Sequence, residues 1–460
     1  MTYKRVAIIG GGPSGLAIAK ALAFEPYQFE AIDVFERRDR VGGVWNYDGD
    51  KSHLRPPVPS LDPGGRDYND NIELTPAAYA SPMYKYLETN IPSKIMEYEQ
   101  VFFDSDGTTF PARESVLDYV KKYATTIPSD KVYIHLNSAV TSVTKLDSVW
   151  HIEFRSTIAP YQQNKEQYDA VVIANGHFEV PFIPEVKGLQ NWNDKAPGSI
   201  THAKYYIDPE PYRDKNVLII GNFSSGQDIS TQVLVTAKSV YVSIKDTDEA
   251  SKLDASGLIK YIGVVEEYNY DQERSVKTVD NEVVKDIDVV IFCTGYLYSV
   301  PFLNTYKEDV LSADGNQIQN LYKHIFYTKD PSLSFVGLPK NVIPMPLAES
   351  QGAVIARVYS GRLSLPSEIE RSLAYEQELK ERGSGKSFHS LAYPLDITYY
   401  KDLQQLVDQH KTGFNPPLWD DERVQLRADT STLKKARVAN VVKYAIKLRN
   451  ERADSFKLLD

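Results

Sequence analysis

Arg5-Val6-Ala7-Ile8-Ile9-Gly10-Gly11-Gly12-Pro13-Ser14-Gly15 is the stretch from which the rest of the chain is read. Val6 to Ile9 are four apolar residues in a row, the pattern of a short strand buried on both faces. Gly10, Gly12 and Gly15 fit the spacing G-x-G-x-x-G, and Leu16 to Phe24 continues as an Ala- and Leu-rich helix. The three glycines serve different ends. Gly10 allows a tight turn, Gly12 a close backbone approach to a pyrophosphate, and Gly15 close helix–strand packing. Pro13 and Ser14 open the helix, whose unpaired N–H groups face the phosphates. Phe29 to Phe35 reads as the second strand and ends at Glu36, about twenty residues after Gly15, where a carboxylate accepts hydrogen bonds from a ribose. A glycine turn alone fits many βαβ units, but strand, helix and carboxylate together point to dinucleotide binding.

The totals set bounds. A chain of 460 residues is too long for one simple core, so two or three domains are expected. The net charge of −10 argues against nucleic acid as a main partner. The one cysteine, Cys293, excludes a disulfide framework, a Cys-based zinc site and a C-x-x-C redox pair, and disulfide-reductase chemistry with them. No metal site is indicated. No run reaches the roughly 18 apolar residues that span a bilayer. The first strand starts too near Met1 to leave room for a leader, so a soluble, reducing, intracellular setting is expected.

After Glu36 and Arg37, Gly42-Gly43-Val44-Trp45 lets backbone pass close to a flat ligand, with Trp45 as a wall. Residues 46–83 are rich in Pro, Gly and Asp and read as an irregular surface loop. Leu87-Glu88-Thr89-Asn90-Ile91-Pro92 is an extended or turn segment carrying hydrogen-bonding side chains, and a plain turn explains it equally well. Glu114 to Tyr123 reads as a helix with Val116, Tyr119, Val120 and Tyr123 on one face. Val132 to Phe154, which includes Val140, reads as β structure. Tyr168 to Ala174 reads as one buried strand that runs into Asn175-Gly176-His177, a tight crossing near the ligand edge of the sheet.

A second strand–turn–helix starts at Asn216 and continues through Gly221-Asn222-Phe223-Ser224-Ser225-Gly226-Gln227. Phe223 stands where the middle glycine is expected, so either the backbone stands off from the pyrophosphate or the ring turns away. The next strand, Ser239 to Ile244, ends in Lys245. With Ser243 this suits a ribose 2′-phosphate and so NADPH over NADH, although Asp246 weakens the point and a solvated lysine is the alternative. Asp288 to Phe292 leads into Cys293-Thr294-Gly295-Tyr296, which mirrors Asn175-Gly176, and the pair reads as two chain crossings between domains. After Pro344-Met345-Pro346 a helix is expected over Glu349 to Arg357, its N-terminus facing an electron-rich carbonyl edge with Gln351 nearby. Polar helices are expected at Glu370 to Arg382 and Asp402 to His410, and a charged, helical stretch at Ala439 to Asp460. The fold class is therefore α/β with two Rossmann-like dinucleotide-binding domains.

As a set these motifs resemble the flavin-containing monooxygenases, in particular short fungal-type members. The matching pieces are Gly10 to Gly15, Gly42 to Trp45, Leu87 to Asn90, Asn175 to His177 with Pro181 and Pro184, Gly221 to Gly226, and Cys293 to Tyr296. The family linker F-x-G-x-x-x-H-x-x-x-Y is present as Gly198, His202 and Tyr206, with Ala196 in place of Phe. The resemblance implies FAD at the first site and NADPH at the second. It gives an FAD-binding domain of residues 1–175 and 292–460 with a smaller NADPH-binding domain, 176–291, inserted. Its expected cofactor contacts include Arg37, Val140, Thr89, Asn90, Gly295 and Gln351.

It also implies an oxidoreductase in which NADPH reduces the flavin, O2 is captured as a C4a-hydroperoxide, and a soft nucleophile such as a small thiol or amine is oxygenated. Asn90 matches the family's active-site asparagine, and His202 is expected to fix the linker and not to carry a proton. Phe223 is expected to loosen NADP+. A Baeyer–Villiger enzyme on carbonyls, or an NADPH oxidase releasing peroxide, are the alternatives, and Tyr206 in place of Trp disfavours the first. The expected location is the cytoplasm or the cytoplasmic face of the endoplasmic reticulum, with peripheral membrane contact left open and the oligomeric state undetermined.

Overall fold

Two sheets carry the molecule, one of them all parallel and the other parallel except for two antiparallel pairings at one edge. The computed structural model describes residues 2–51, 54–65, 80–104, 107–158, 162–246 and 257–459. Part of the expected 46–83 loop lies outside the described residues. Arg5–Ile9 pairs in parallel with Ala31–Phe35 on one side and with Ala170–Ile173 on the other. The sheet continues to Tyr133–His135 at one edge, and to Leu333–Phe335, Phe326–Tyr327 and Leu321–Tyr322 at the other, which gives seven strands. The second sheet has five strands, in the order Ile259–Ile262, Ser239–Ser243, Asn216–Ile220, Val289–Phe292 and Ile200–His202, all parallel.

Burial explains why the central strands are uniformly apolar. Val6, Ala7, Ile8, Val171, Val172, Val217, Leu218 and Ile219 are fully buried. The first sheet has helices on one face and the antiparallel strands Ser138–Leu146 and Val149–Ser156 on the other, and a strand covered on both faces has no solvent side on which to place polar residues. Helix Pro13–Ala23 packs against helix Pro344–Tyr359, and a Cβ on Gly352 would touch Ala21 and Ile18 at 3.2 Å. Val116, Tyr119, Val120 and Tyr123 form the buried face of helix Arg113–Ala124, as their spacing predicts.

Several boundaries differ from expectation. The run Tyr168 to Ala174 is two strands: Gln163–Tyr168 closes an antiparallel three-stranded sheet, and Ala170–Ile173 enters the parallel one. Asp169 turns the chain between them, its Oδ2 accepting from the amides of Lys4 (2.7 Å) and Arg5 (3.0 Å). The helix expected from Glu349 begins at Pro344, since prolines in a first turn forgo N–H groups that have no partner there. The polar tail contains helix Leu395–Val407 and a 30-residue helix, Asp421–Asn450, longer and earlier than the stretch expected at Ala439.

The chain passes between the sheets twice. The two passages pair as a short antiparallel ribbon, Val180–Pro181 with Tyr296–Leu297. Among the described residues no helix is long and apolar enough to cross a membrane.

Candidate active site

Both glycine turns open on one cavity of about 1940 Å³. At the first, Gly10 has φ +113° and a Cβ there would stand 2.5 Å from the Ala174 carbonyl, so only glycine fits. A Cβ on Gly15 would lie 1.8 Å from the Gly10 carbonyl, which is the close helix–strand contact. Gly12 has ordinary extended backbone (φ −79°, ψ −175°) and caps the helix that Pro13 begins. Its bare Cα is needed by a neighbour: Gly43 (φ +54°) passes so near that a Cβ on Gly43 would meet Gly12 Cα at 2.8 Å. Gly12, Pro13 and Ser14 face the cavity, and the single 3-10 turn Gly43–Trp45, with Val44, forms the adjoining wall.

Glu36 is buried at the cavity edge. One carboxylate oxygen accepts from the Gly11 amide at 2.8 Å and the other from the Arg38 amide at 2.9 Å. A carboxylate has about four lone-pair positions, so each oxygen keeps one for a ribose hydroxyl. The bare cradle and this carboxylate fit a dinucleotide. Arg37 is ion-paired with Glu179, which Lys204 also reaches at 3.1 Å. Burial favours the neutral acid, but Arg37 and Lys204 outweigh it and hold Glu179 at about 2.

Asn90 stands exposed on the wall, and among the described residues its side-chain amide has no partner. Its neighbour Thr89 uses its hydroxyl to shape the turn, donating to the Ile91 carbonyl at 2.9 Å. The segment is gripped from the C-terminal helix. Lys434 donates to Glu88 Oε1 (3.0 Å) and to the Thr89 carbonyl (2.9 Å), while Arg437 donates to Glu88 Oε2 (2.9 Å). Nothing local in the sequence signals this grip, because Glu88 and Lys434 are 346 residues apart.

At the crossings, Asn175 Nδ2 donates to the Ser299 carbonyl at 2.8 Å and ties one passage to the other. Gly176 (φ +73°) and Gly295 (φ +81°) have no atom within 4 Å of where a Cβ would stand, and both face the cavity, as does Val140. His202 Nδ1 accepts from the Lys204 amide at 3.1 Å, so Nε2 carries the proton and donates to the Gly295 carbonyl at 3.0 Å. Burial pushes this imidazole down to about 3, which keeps it neutral and fixes the crossing.

The second turn repeats the first. Gly221 has φ +98°, and a Cβ on Gly226 would lie 2.0 Å from the Gly221 carbonyl. Phe223 has φ −82° and ψ −167°, the backbone of Gly12, so the ring turns aside while the chain keeps its course. The phenyl is 73% exposed on the cavity wall. Ser224 and Ser225 line the cavity; Gln227 faces a small side pocket that Asn90 and Ser224 share.

Three expected contacts do not reach the cavity. Ser243 is buried, its hydroxyl donating to the Gly263 carbonyl (2.9 Å) and accepting from the Val265 amide (3.3 Å), which leaves nothing for a phosphate. Gln351 is also buried, with Oε1 accepting from the Gly337 amide (2.9 Å) and Nε2 donating to the Tyr399 hydroxyl (3.0 Å). It lies in the second turn of its helix, and Pro344, Met345 and Leu347 face the cavity instead. Lys245 is exposed and lies outside the cavity wall.

The family description "Flavin-binding monooxygenase-like" matches residues 70–253 and 247–415, and an NAD(P)-binding Rossmann-like domain matches residues 8–57. The chain is 32% identical to a thiol-specific monooxygenase of Saccharomyces cerevisiae, over 98% of this chain and 97% of that one. It is 32% identical to flavin-containing monooxygenase FMO GS-OX4 of Arabidopsis thaliana, over 91% of each. The solved structure of S-allyl-L-cysteine S-oxygenase from Allium sativum matches 98% of the chain, and 99% of its own length, with a TM-score of 0.79 and 29% identity. The chain belongs to the flavin-containing monooxygenase family, and is an oxidoreductase whose cofactors are FAD and NADPH.

Proposed function

We propose that the chain uses NADPH and O2 to place one oxygen atom on a soft nucleophile, with thiol sulfur foremost. The balance is R–SH + O2 + NADPH + H+ → R–SOH + H2O + NADP+. The observation that carries this reading is the sharing of one cavity by the two glycine turns, with the unpartnered amide of Asn90 on the wall. The names of the yeast thiol-specific monooxygenase and the garlic S-oxygenase support sulfur as the acceptor.

In this reading Gly10 to Gly15, Glu36 and the Gly43–Trp45 wall hold FAD on the body made of residues 1–175 and 292–460. Ser224 and Ser225 hold NADPH on residues 176–291, with Lys245, outside the cavity, serving its solvent-exposed 2′-phosphate, a division supported by the membership of the two sheets. The flavin, when bound, supplies the activation of O2 and the transfer of one oxygen atom. The chain supplies placement and dryness, because a loose, wet site releases peroxide. Asn90 donates from its amide to the cofactor edge, steadied by Glu88, Lys434 and Arg437. His202, neutral and bonded at both nitrogens, moves no proton.

The test supplies FAD-loaded protein with NADPH, O2 and either 2-mercaptoethanol or cyclohexanone. The expected result is one oxygenated sulfur per NADPH and unchanged ketone. Lactone formation with the thiol untouched, or recovery of all consumed O2 as peroxide, overturns the reading.

A further inference from the structure

Charge on the cavity wall is unevenly settled. Glu36 is bonded to two amides, Glu88 to Lys434 and Arg437, and Glu179 to Arg37 and Lys204. Among the cations, Arg38 pairs with Asp48 at 3.0 Å and Arg427 with Asp396 at 2.6 Å. Lys340 and Lys386 also line the cavity, and among the described residues neither ion-pairs with a carboxylate. Arg155 is likewise without an acid, but its backbone is paired with Ala139, beside Glu36 at the first turn.

The two lysines are held in place by their surroundings. Lys340 exchanges backbone hydrogen bonds with the opposing loop: its amide donates to the His389 carbonyl (2.8 Å) and its carbonyl accepts from the Leu391 amide (2.9 Å). Its ammonium stands 4.4 Å from the centre of the Tyr298 ring, which is itself fixed by a 2.8 Å bond from its hydroxyl to the Leu338 carbonyl. Lys386 stands 3.6 Å from the centre of the Phe182 ring. The acid that acts on Lys386 from a distance, Asp314, is occupied in its own turn by Ser312 and Asn316. Lys386 lies three residues before His389, whose carbonyl takes the Lys340 amide, so the two lysines rise from one contact between loops; burial and then the repulsion of Lys386 bring Lys340 down to about 8. Lys340 is half-buried and Lys386 exposed at the cavity rim, and a pair of cations with no carboxylate partner is stabilised by an anion that reaches both.

The anionic groups of the cofactors have other places. In the reading proposed above, one pyrophosphate goes to the start of helix Pro13–Ala23, the other to the start of helix Ser224–Val233, and the 2′-phosphate to Lys245. We propose that Lys340 and Lys386 form an anion subsite that receives the carboxylate of the sulfur substrate, so that the preferred nucleophile is a thiol or sulfide carrying a carboxylate. This rests on the sulfur-oxygenating reading above.

The test compares 3-mercaptopropionate with its neutral counterpart 2-mercaptoethanol, using FAD-loaded wild type, Lys340→Met, Lys386→Met and Lys340→Arg. Wild type is expected to favour the carboxylated thiol. The ratio of kcat/KM for the carboxylated over the neutral thiol falls about tenfold in each Met variant and is largely kept in Lys340→Arg. Bound FAD, read from absorbance, and the NADPH dissociation constant stay at wild-type values. A ratio unmoved by substitution overturns the subsite. So does a loss of NADPH or FAD affinity that accounts for the whole effect, which assigns the lysines to a cofactor phosphate. Failure of wild type to oxygenate either thiol instead defeats the sulfur reading, and the subsite falls with it.

Discussion

The two glycine turns share a backbone and differ in what lies over it. Gly10 and Gly221 both have strongly positive φ, and Gly15 and Gly226 both lie too close to a carbonyl for any side chain. Gly12 and Phe223, at the middle positions, have nearly the same dihedral angles, and these are open to every residue. Gly12 is bare because Gly43 passes over it; at the second turn a phenyl ring stands at the same position, largely exposed on the cavity wall. The outer glycines of the motif therefore answer to the fold, and the middle one answers to whatever approaches it.

The largest effect expected from this comparison is at the outer positions. Gly15→Ala and Gly226→Ala each force a methyl against a carbonyl, an overpacking that costs about 3 kcal/mol or more. Gly15→Ala should purify without yellow flavin absorbance, whereas Gly226→Ala should keep FAD and lose NADPH affinity. The reverse pattern would exchange the two cofactors between the turns.

A smaller effect is expected at the middle position. Phe223→Gly should tighten NADPH roughly three- to tenfold, by opening the path to the helix start, while cofactor-free stability moves by less than about 1 kcal/mol. Unchanged affinity by titration would mean that the ring does not obstruct the pyrophosphate. The smallest effect belongs to the strand ends, where Glu36 is buried and Lys245 is solvated. Lys245→Ala should weaken NADPH about twofold and leave NADH alone, as for an exposed phosphate contact. Equal weakening of both would make Lys245 an ordinary surface lysine.

What could be read without the structure was whatever short-range geometry enforces. Four buried apolar residues before a glycine turn, a carboxylate at the end of the next strand, and the 3.6-residue period of Val116 to Tyr123 are each set within one or two elements. The misreadings have a common cause. Ser243 and Gln351 are polar residues near a ligand edge by sequence, yet each turns to bond its own scaffold, and spacing does not encode side-chain direction. The strand break at Asp169 depends on amides of Lys4 and Arg5 from the chain's start. Lys340 and Lys386 become neighbours only when loops from different elements fold together. Helix Asp421–Asn450 has an apolar stripe near its end, where Val441, Ala445 and Leu448 pack with Val235 and Phe456; its polar first half is placed by ionic contacts with distant segments, which spacing does not show.

That last helix has a mechanical consequence. Near its start Arg423 bonds the carbonyls of Lys94 and Glu97; in its middle Lys434 and Arg437 hold Glu88; near its end Arg449 caps the carbonyls of Leu234, Ala237 and Lys238. It acts as a splint some 45 Å long laid across both nucleotide-binding units. Sliding one unit past the other by a single helical turn, about 5.4 Å, would strip Arg449 of its carbonyls or drag Asn90 out of register. On the proposed assignment, the alignment of the two cofactors is thus guarded by the part of the chain farthest in sequence from the first glycine turn.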